Sequence, residues 1–532
     1  MRFAVHAALG LSLAAAGQAT SLQQFKQQCS KLAHQLKIRN ATVWFSDYVA
    51  AGINMSFPDT DPSCAQGGLA VNADFCRVAL YVATSSQSGI SMEAWLPRNW
   101  TGRFLSTGNG GLNGCLSYDD MAYTVEQGFA TVGANNGHNG TSGKPFLNNL
   151  DVVEDFAWRS VHTNVVVGKQ ISAAFYKKQH TKSYYLGCST GGRQGFKSAQ
   201  SFPDDFDGII AGAPALDFNN LNSWSGHFYP ITGPAGSPTY LTPDQWAAVH
   251  ADIMAQCDGL DGYVDGIIED PLLCQYRPES LICPPGTAAN TSTCITGTQA
   301  GTVRAVLSDL YGENGTFVYP RMQPGAELLG LPQIYYGGRP FSYASDWFRY
   351  VVYNNPNWDP ATLSPRDYAY SNTLNPSDIR TWSGDLSAVK ARGAKILHYH
   401  GQQDQIITSE ISPRYYNHVA RTMNLPSSAL DDFYRFFRIS GMGHCSGGPG
   451  ASFIGQRRGS TASLDPDQNV LTAMVRWVEE GKAPNSILGT AFVNGTAGGQ
   501  VAFRRRHCKY PLRNTYTGKG DPKDPDSWKC VV

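Results

Sequence analysis

The chain has 532 residues, enough for two domains or for one large domain carrying an insertion. Hydrophobic residues make up 42% and charged residues 16%, a balance that excludes general disorder. Formal net charge is zero, so no basic field exists to hold nucleic acid or an anionic membrane surface.

Taken in chain order, the first element is a secretory signal peptide over residues 1–19. Arg2 gives a positive start, an apolar run extends from Phe3 through Leu13 to Ala16, and Gly17 and Ala19 provide the small residues of a cleavage site. The run is too short for a membrane anchor. Twelve cysteines and seven N-x-Ser/Thr sequons agree with an extracellular destination. The sequons are at Asn40, Asn54, Asn99, Asn139, Asn290, Asn314 and Asn494.

From Arg103 the sequence RFLSTGNGGLNG reads as a short strand entering a glycine-rich turn. Further buried strands are expected at 127–133 and 183–187, with a helix over 156–179 between them. A helix at 191–201 and a strand at 207–212 continue the alternation, which implies a parallel sheet of the α/β kind. The rhythm stops near Pro214. Residues 217–390 are rich in Trp, Tyr, Pro, Gly and Asn and contain four cysteines. It resumes with a strand at 394–400, a helix at 411–421 and a strand at 432–439. The expected organisation is one α/β domain over 20–216 and 391–532, interrupted by a lid domain over 217–390 that shapes the pocket.

Gly187-Cys188-Ser189-Thr190-Gly191 matches G-x-S-x-G between an expected strand and an expected helix. Small flanking residues let the backbone present a serine hydroxyl on a strained turn. Such a serine needs a base and an orienting acid, which follow it in the order acid then histidine in α/β-hydrolases. Asp404 lies just past the strand ending at His400, and His444 lies in GMGHCSGG past the next strand. Asp385 precedes its strand, and His398 and His400 sit inside an apolar run as core or supporting residues. Expected oxyanion donors are the backbone N–H of Thr190 and that of Gly110 or Gly111.

Cys188 adjoins Ser189 and Cys445 adjoins His444, so a serine and histidine that meet bring the two cysteines together. A disulfide between them would clamp the two loops. Asp258, Asp261 and Asp265 lie close together among glycines, an arrangement that calcium would relieve, with the carbonyls of Tyr263 and Ile267 completing its shell. Solvated turn aspartates are the competing reading.

Together these residues resemble the tannase and feruloyl esterase family. The most specific element is Cys188-Ser189, Asp404 and His444-Cys445, and the likeness spans nearly the whole mature chain. It implies an α/β-hydrolase fold with a large inserted lid domain. It also implies the Cys188–Cys445 bond and a lid calcium loop of pattern Asp-x2-Asp-x-X-x-Asp-x-Ile, reproduced by Asp258, Asp261, Tyr263, Asp265 and Ile267. The same resemblance implies Cys29–Cys76 and Cys64–Cys115, while local spacing favours Cys257–Cys274, Cys283–Cys294 and Cys508–Cys530. The implied activity is hydrolysis of feruloyl esters of plant cell-wall polysaccharide, or of a small phenolic ester, through an acyl-enzyme and without an organic cofactor. The overall pattern, including GDPKDPDSWKC, is nearer the fungal B-type feruloyl esterases than the tannases. A calcium-dependent carbohydrate-binding glycoprotein and a serine peptidase are the readings from other classes. Arg504-Arg505-Arg506 before the penultimate cysteine departs from the family pattern and reads as a surface patch or a processing site.

Overall fold

The computed structural model describes residues 21–287 and 293–532. The signal peptide read over 1–19 and the Asn290 sequon lie outside them.

A nine-stranded mixed sheet forms the centre, in spatial order β1-β2-β3-β5-β4-β6-β7-β8-β9. These strands are β1 (Ala41–Val49), β2 (Phe75–Ala83), β3 (Gly89–Pro97), β4 (Arg103–Thr107), β5 (Ala130–Ala134), β6 (Lys182–Cys188), β7 (Gly208–Gly212), β8 (Lys395–Gly401) and β9 (Tyr434–Ile439). From β5 onward all pairings are parallel. β1, β2 and β3 add an antiparallel extension that joins the rest through β3 and β5.

The parallel strands are buried on both faces, which is why they read as continuous apolar runs rather than alternating ones. Successive residues enter two different cores. Phe104, Tyr185, Ile209, Ile396 and Phe436 pack on one face; Leu105, Tyr184, Ile210, Leu397 and Phe437 pack on the other. Helices α1 (Leu22–Gln35), α2 (Ser160–Tyr176) and α3 (Thr190–Ser201) contribute to the first core, and α6 (Val470–Glu480) to the second. A single π-turn at Asp155–Arg159 opens α2, so the helix expected over 156–179 is regular only from Ser160.

Among the described residues, the segment between β7 and β8 adds no strand to the main sheet. It holds α4 (Phe218–Thr232), an equally long helix at Pro243–Cys257, shorter helices and, among the described residues, one two-stranded ribbon. α5 (Ile411–Thr422) follows β8, and the C-terminal part forms a ribbon of β10 (Ser486–Phe492) and β11 (Val501–Cys508). Among the described residues no helix is long and apolar enough to cross a membrane.

Six disulfides join all twelve cysteines: Cys29–Cys76, Cys64–Cys115, Cys188–Cys445, Cys257–Cys274, Cys283–Cys294 and Cys508–Cys530. The six sequon asparagines within the described residues are all exposed.

The arginine run is only in part a surface feature, and it is paired into a strand. It lies in β11, where strand alternation exposes Arg504 and buries Arg505 and His507. Arg505 donates to Glu269 (2.5 Å) and Asp265 (2.8 Å) of the insertion, and its guanidinium lies 3.5 Å from the Trp528 ring centre.

Candidate active site

Ser189 caps the end of β6 with φ 67° and ψ −125°, a backbone region that side-chain-bearing residues rarely occupy. The turn is held from the neighbouring strand end: Ser189 N–H donates to Gly212 O (3.0 Å) and Ala215 N–H donates to Ser189 O (3.0 Å). Close approach requires the glycines. A Cβ on Gly192 would lie 2.2 Å from the carbonyl oxygen of Gly212, and one on Gly108 would lie 2.7 Å from Gly191 Cα.

That approach brings the start of α3 against the loop 108–111. Thr190 Oγ1 donates to Gly111 O (2.7 Å). Gln194 fixes the same loop from inside the helix, accepting from Asn109 N–H (3.0 Å) and donating to Asn109 Oδ1 (3.1 Å) and Asn136 Oδ1 (3.0 Å). Asn109 in turn donates to Cys115 O and Ala134 O, each at 2.8 Å. Sequence reasoning missed Gln194 and Asn109, because a polar residue on a helix or in a turn carries no local sign that it will be buried.

Asp404 is fully buried and saturated with donors. Its Oδ1 accepts from the N–H groups of Ile406 (2.8 Å) and Ile407 (2.9 Å). Its Oδ2 faces both His444 Nδ1 (2.7 Å) and His400 Nε2 (3.1 Å). Burial alone would push this carboxyl up. The charge interaction with His444 and the hydrogen bond from His400 more than offset that, holding it well below the usual carboxylate range. A group lowered in this way contributes stability that is present above the ordinary carboxylate pKa and lost only as pH falls through the lowered value. Mild acid therefore leaves the Asp404–His444 pair intact.

His444 is held by its own backbone, which donates to Gln405 Oε1 (2.9 Å). The insertion also reaches the acid: Gln323 donates to Asp404 O (2.5 Å) and accepts from Ser409 N–H (3.0 Å). Ser189 and His444 line one cavity of about 430 Å³, and the Cys188–Cys445 bond joins the residues beside them. Asp385, the alternative acid, is exposed and accepts from Ser387 N–H instead.

Two spaces meet at Ser189. A narrow pocket of about 40 Å³ extends under the insertion between Phe218, Phe341, Tyr335, Tyr343 and Leu112. The wider cavity opens the other way among Gln66, Asn113, Asp119, Asp120 and Arg457. Tyr343, Gly111 and Ile406 line both.

The acidic loop lies apart from these spaces. Asp258 accepts from the N–H groups of Asp265, Gly266 and Ile267, and Asp261 Oδ1 accepts from Tyr263 N–H. Asp261 Oδ2 is buried and has no donor. Burial, reinforced by Glu269 and Asp265, pushes Asp261 up to about 7. Arg505 takes one oxygen of Asp265, and among the described residues no three His, Cys, Asp or Glu side chains form a ready-made metal cage.

Sheet order, strained serine turn and buried acid–histidine pair define an α/β-hydrolase. A family profile described as tannase and feruloyl esterase matches residues 76–531. The chain belongs to that family. It is 55% identical over 523 residues to probable feruloyl esterase B-2 of Aspergillus oryzae, spanning 98% of this chain and 99% of the relative. It is 56% identical over 524 residues to feruloyl esterase C of Talaromyces stipitatus, spanning 98% of each. The crystal structure of feruloyl esterase B from Aspergillus oryzae superposes with a TM-score of 0.93 at 54% identity, over 95% of this chain and 100% of that one. A tannin acyl hydrolase from Aspergillus niger shares the fold, with a TM-score of 0.75 at 20% identity over 96% of each chain.

Proposed function

We propose that this chain is a secreted serine carboxylesterase that releases ferulate and related hydroxycinnamic acids from plant cell-wall polysaccharide. The observation that carries this reading is the position of Ser189 between a narrow aromatic pocket and a wide polar cavity. The aromatic side chains around the first would stack on a flat phenolic ring, for which that pocket must widen beyond its 40 Å³, and a sugar leaving group suits the second. The names of the relatives at 55–56% identity point the same way.

In this reading Asp404 orients His444, which takes the proton of Ser189 as its oxygen attacks the ester carbonyl. The N–H groups of Thr190 and of Gly110 or Gly111 receive the developing oxyanion. His444 then protonates the leaving alcohol, and water, activated by the same histidine, releases the acid. Methyl ferulate, methyl caffeate and methyl gallate assayed side by side test the substrate class. The expected order places both hydroxycinnamates above the gallate. Preference for gallate would make the chain a tannase, and turnover of none would remove the esterase reading.

Secretion is supported by the apolar start of the chain, the exposed sequons and the absence of any free cysteine. We also propose a structural calcium ion held by the carboxylates of Asp258, Asp261 and Asp265 with the carbonyls of Tyr263 and Ile267. Its support is the undonated oxygen of Asp261 inside a crowded acidic loop. Calcium at a hundred times its Kd would add about 2.7 kcal/mol to stability. Chelator is therefore expected to lower Tm by about 2 °C and added calcium to restore it. An unchanged Tm would rule the ion out.

A further inference from the structure

Behind Asp404 runs a line of buried polar groups that the reaction as described does not use. His400 and His398 on β8, Ser412 on α5 and Tyr434 on β9 are each fully buried. Their contacts form one unbroken series. Tyr434 Oη lies 2.9 Å from His398 Nδ1, and His398 Nε2 lies 2.9 Å from Ser412 Oγ. Ser412 Oγ lies 2.6 Å from His400 Nδ1, and His400 Nε2 lies 3.1 Å from both Asp404 Oδ2 and Ile407 O.

The direction of this series follows from counting protons. A carbonyl and a carboxylate only accept, so His400 Nε2 carries a hydrogen. A neutral ring has one N–H, so His400 Nδ1 accepts and the Ser412 hydroxyl donates to it. With its single hydrogen committed, Ser412 accepts from His398 Nε2–H. That leaves His398 Nδ1 to accept from the Tyr434 hydroxyl. With every ring neutral there is one assignment, and each donor points toward Asp404. Reversing it would require a charged imidazolium at His400. Burial, reinforced by His400, holds His398 well below the usual histidine range, so the His398 ring is neutral.

We propose that His400 is a positioning residue for the hydrolysis reaction, oriented by a one-way chain of hydrogen bonds from Tyr434 through His398 and Ser412. This rests on the reading of Asp404 and His444 as the acid–histidine pair. His400 donates to the same carboxylate oxygen that faces His444, so it fixes the acid's rotation and shares its charge. Tyrosines are the other titratable groups facing the chain: besides burial, the charge of Asp404 pushes up Tyr319 and Tyr335 of the insertion, and Tyr415 and Tyr416 of α5 push up Tyr434. Phe196 and Phe436 pack on the His398 ring and admit no competing donor there.

Removing the His400 donor leaves Asp404 more negative toward His444 and favours the protonated histidine. The acid limb of kcat/KM then moves to higher pH. Neutron diffraction from deuterium-exchanged full-length mature enzyme near pH 7 reads the chain directly. Deuterons are expected on Nε2 of both His398 and His400, and a deuteron on Nδ1 of either ring overturns the assignment. In parallel, His400→Leu, which has no donor, and Ser412→Ala are assayed on methyl ferulate across pH. The acid limb is expected to rise by about one pH unit in His400→Leu and less in Ser412→Ala, with kcat reduced several-fold and KM little changed. Profiles that superpose on the wild type overturn the positioning role. Full activity in Asp404→Asn would instead remove the underlying acid–histidine reading, which the deuteron positions do not depend on.

Discussion

Ser189→Ala is expected to lower kcat for methyl ferulate by about five orders of magnitude while leaving Tm nearly unchanged. In the proposed reaction the hydroxyl makes the attack, and no neighbouring group on the shared wall can replace it. Asp404→Asn should cost about 10⁴-fold, because the amide cannot hold His444 in the productive tautomer. The double variant is the sharper measurement. Residues that act as one unit are far from additive, so Ser189→Ala/Asp404→Asn should be about as slow as Ser189→Ala alone. Additive losses would mean that Asp404 works through something other than the serine. Activity surviving in Ser189→Ala would remove the nucleophile.

The second large effect concerns the Cys188–Cys445 bond, replaced as Cys188→Ala/Cys445→Ala. The bond closes a loop of 257 residues, and the chain-entropy argument assigns such a closure about 5 kcal/mol. It also ties the residue before the nucleophile to the residue after His444, and Cys445 sits at a strained φ of 61°. Loss of the bond should therefore reduce kcat at temperatures where the protein remains folded, besides lowering Tm. Calorimetry and steady-state rates on the same preparation separate the two. A lower Tm with unchanged kcat would make the bond a scaffold element only.

The part of the sheet that carries the serine, acid and histidine was legible because its strands are buried on both faces and alternate with helices. β4 through β9 were read within a few residues of where they lie. The antiparallel extension was not read. Phe75–Ala83 and Gly89–Pro97 are apolar enough, but they are joined to each other by a hairpin and fall outside the strand–helix rhythm. Within the insertion, α4 has the sequence FNNLNSWSGHFYPIT, whose asparagines and serines hide its period. Asn219, Asn220, Asn222, Ser223 and Ser225 are nevertheless buried. Tertiary packing set that helix, so no local pattern could announce it.

The candidate site was legible wherever a motif stood at a strand end. Its supports were not, because Gln194 and Asn109 meet each other across 85 residues of chain and Gln323 reaches Asp404 across 81. Arg505 shows the same blindness in reverse. Three arginines in a row look like a surface feature, yet the pleat of β11 turns the middle one inward onto two carboxylates.

That inward turn bears on the order of synthesis. Arg505 follows Asp265 by 240 residues. At ordinary rates of translation the acidic loop emerges about 10–50 s before its neutralising guanidinium exists. Throughout that interval Asp258, Asp261, Asp265 and Glu269 have no counter-charge from Arg505. The insertion, though central in the chain, cannot acquire its final electrostatic balance until nearly the whole polypeptide has left the ribosome.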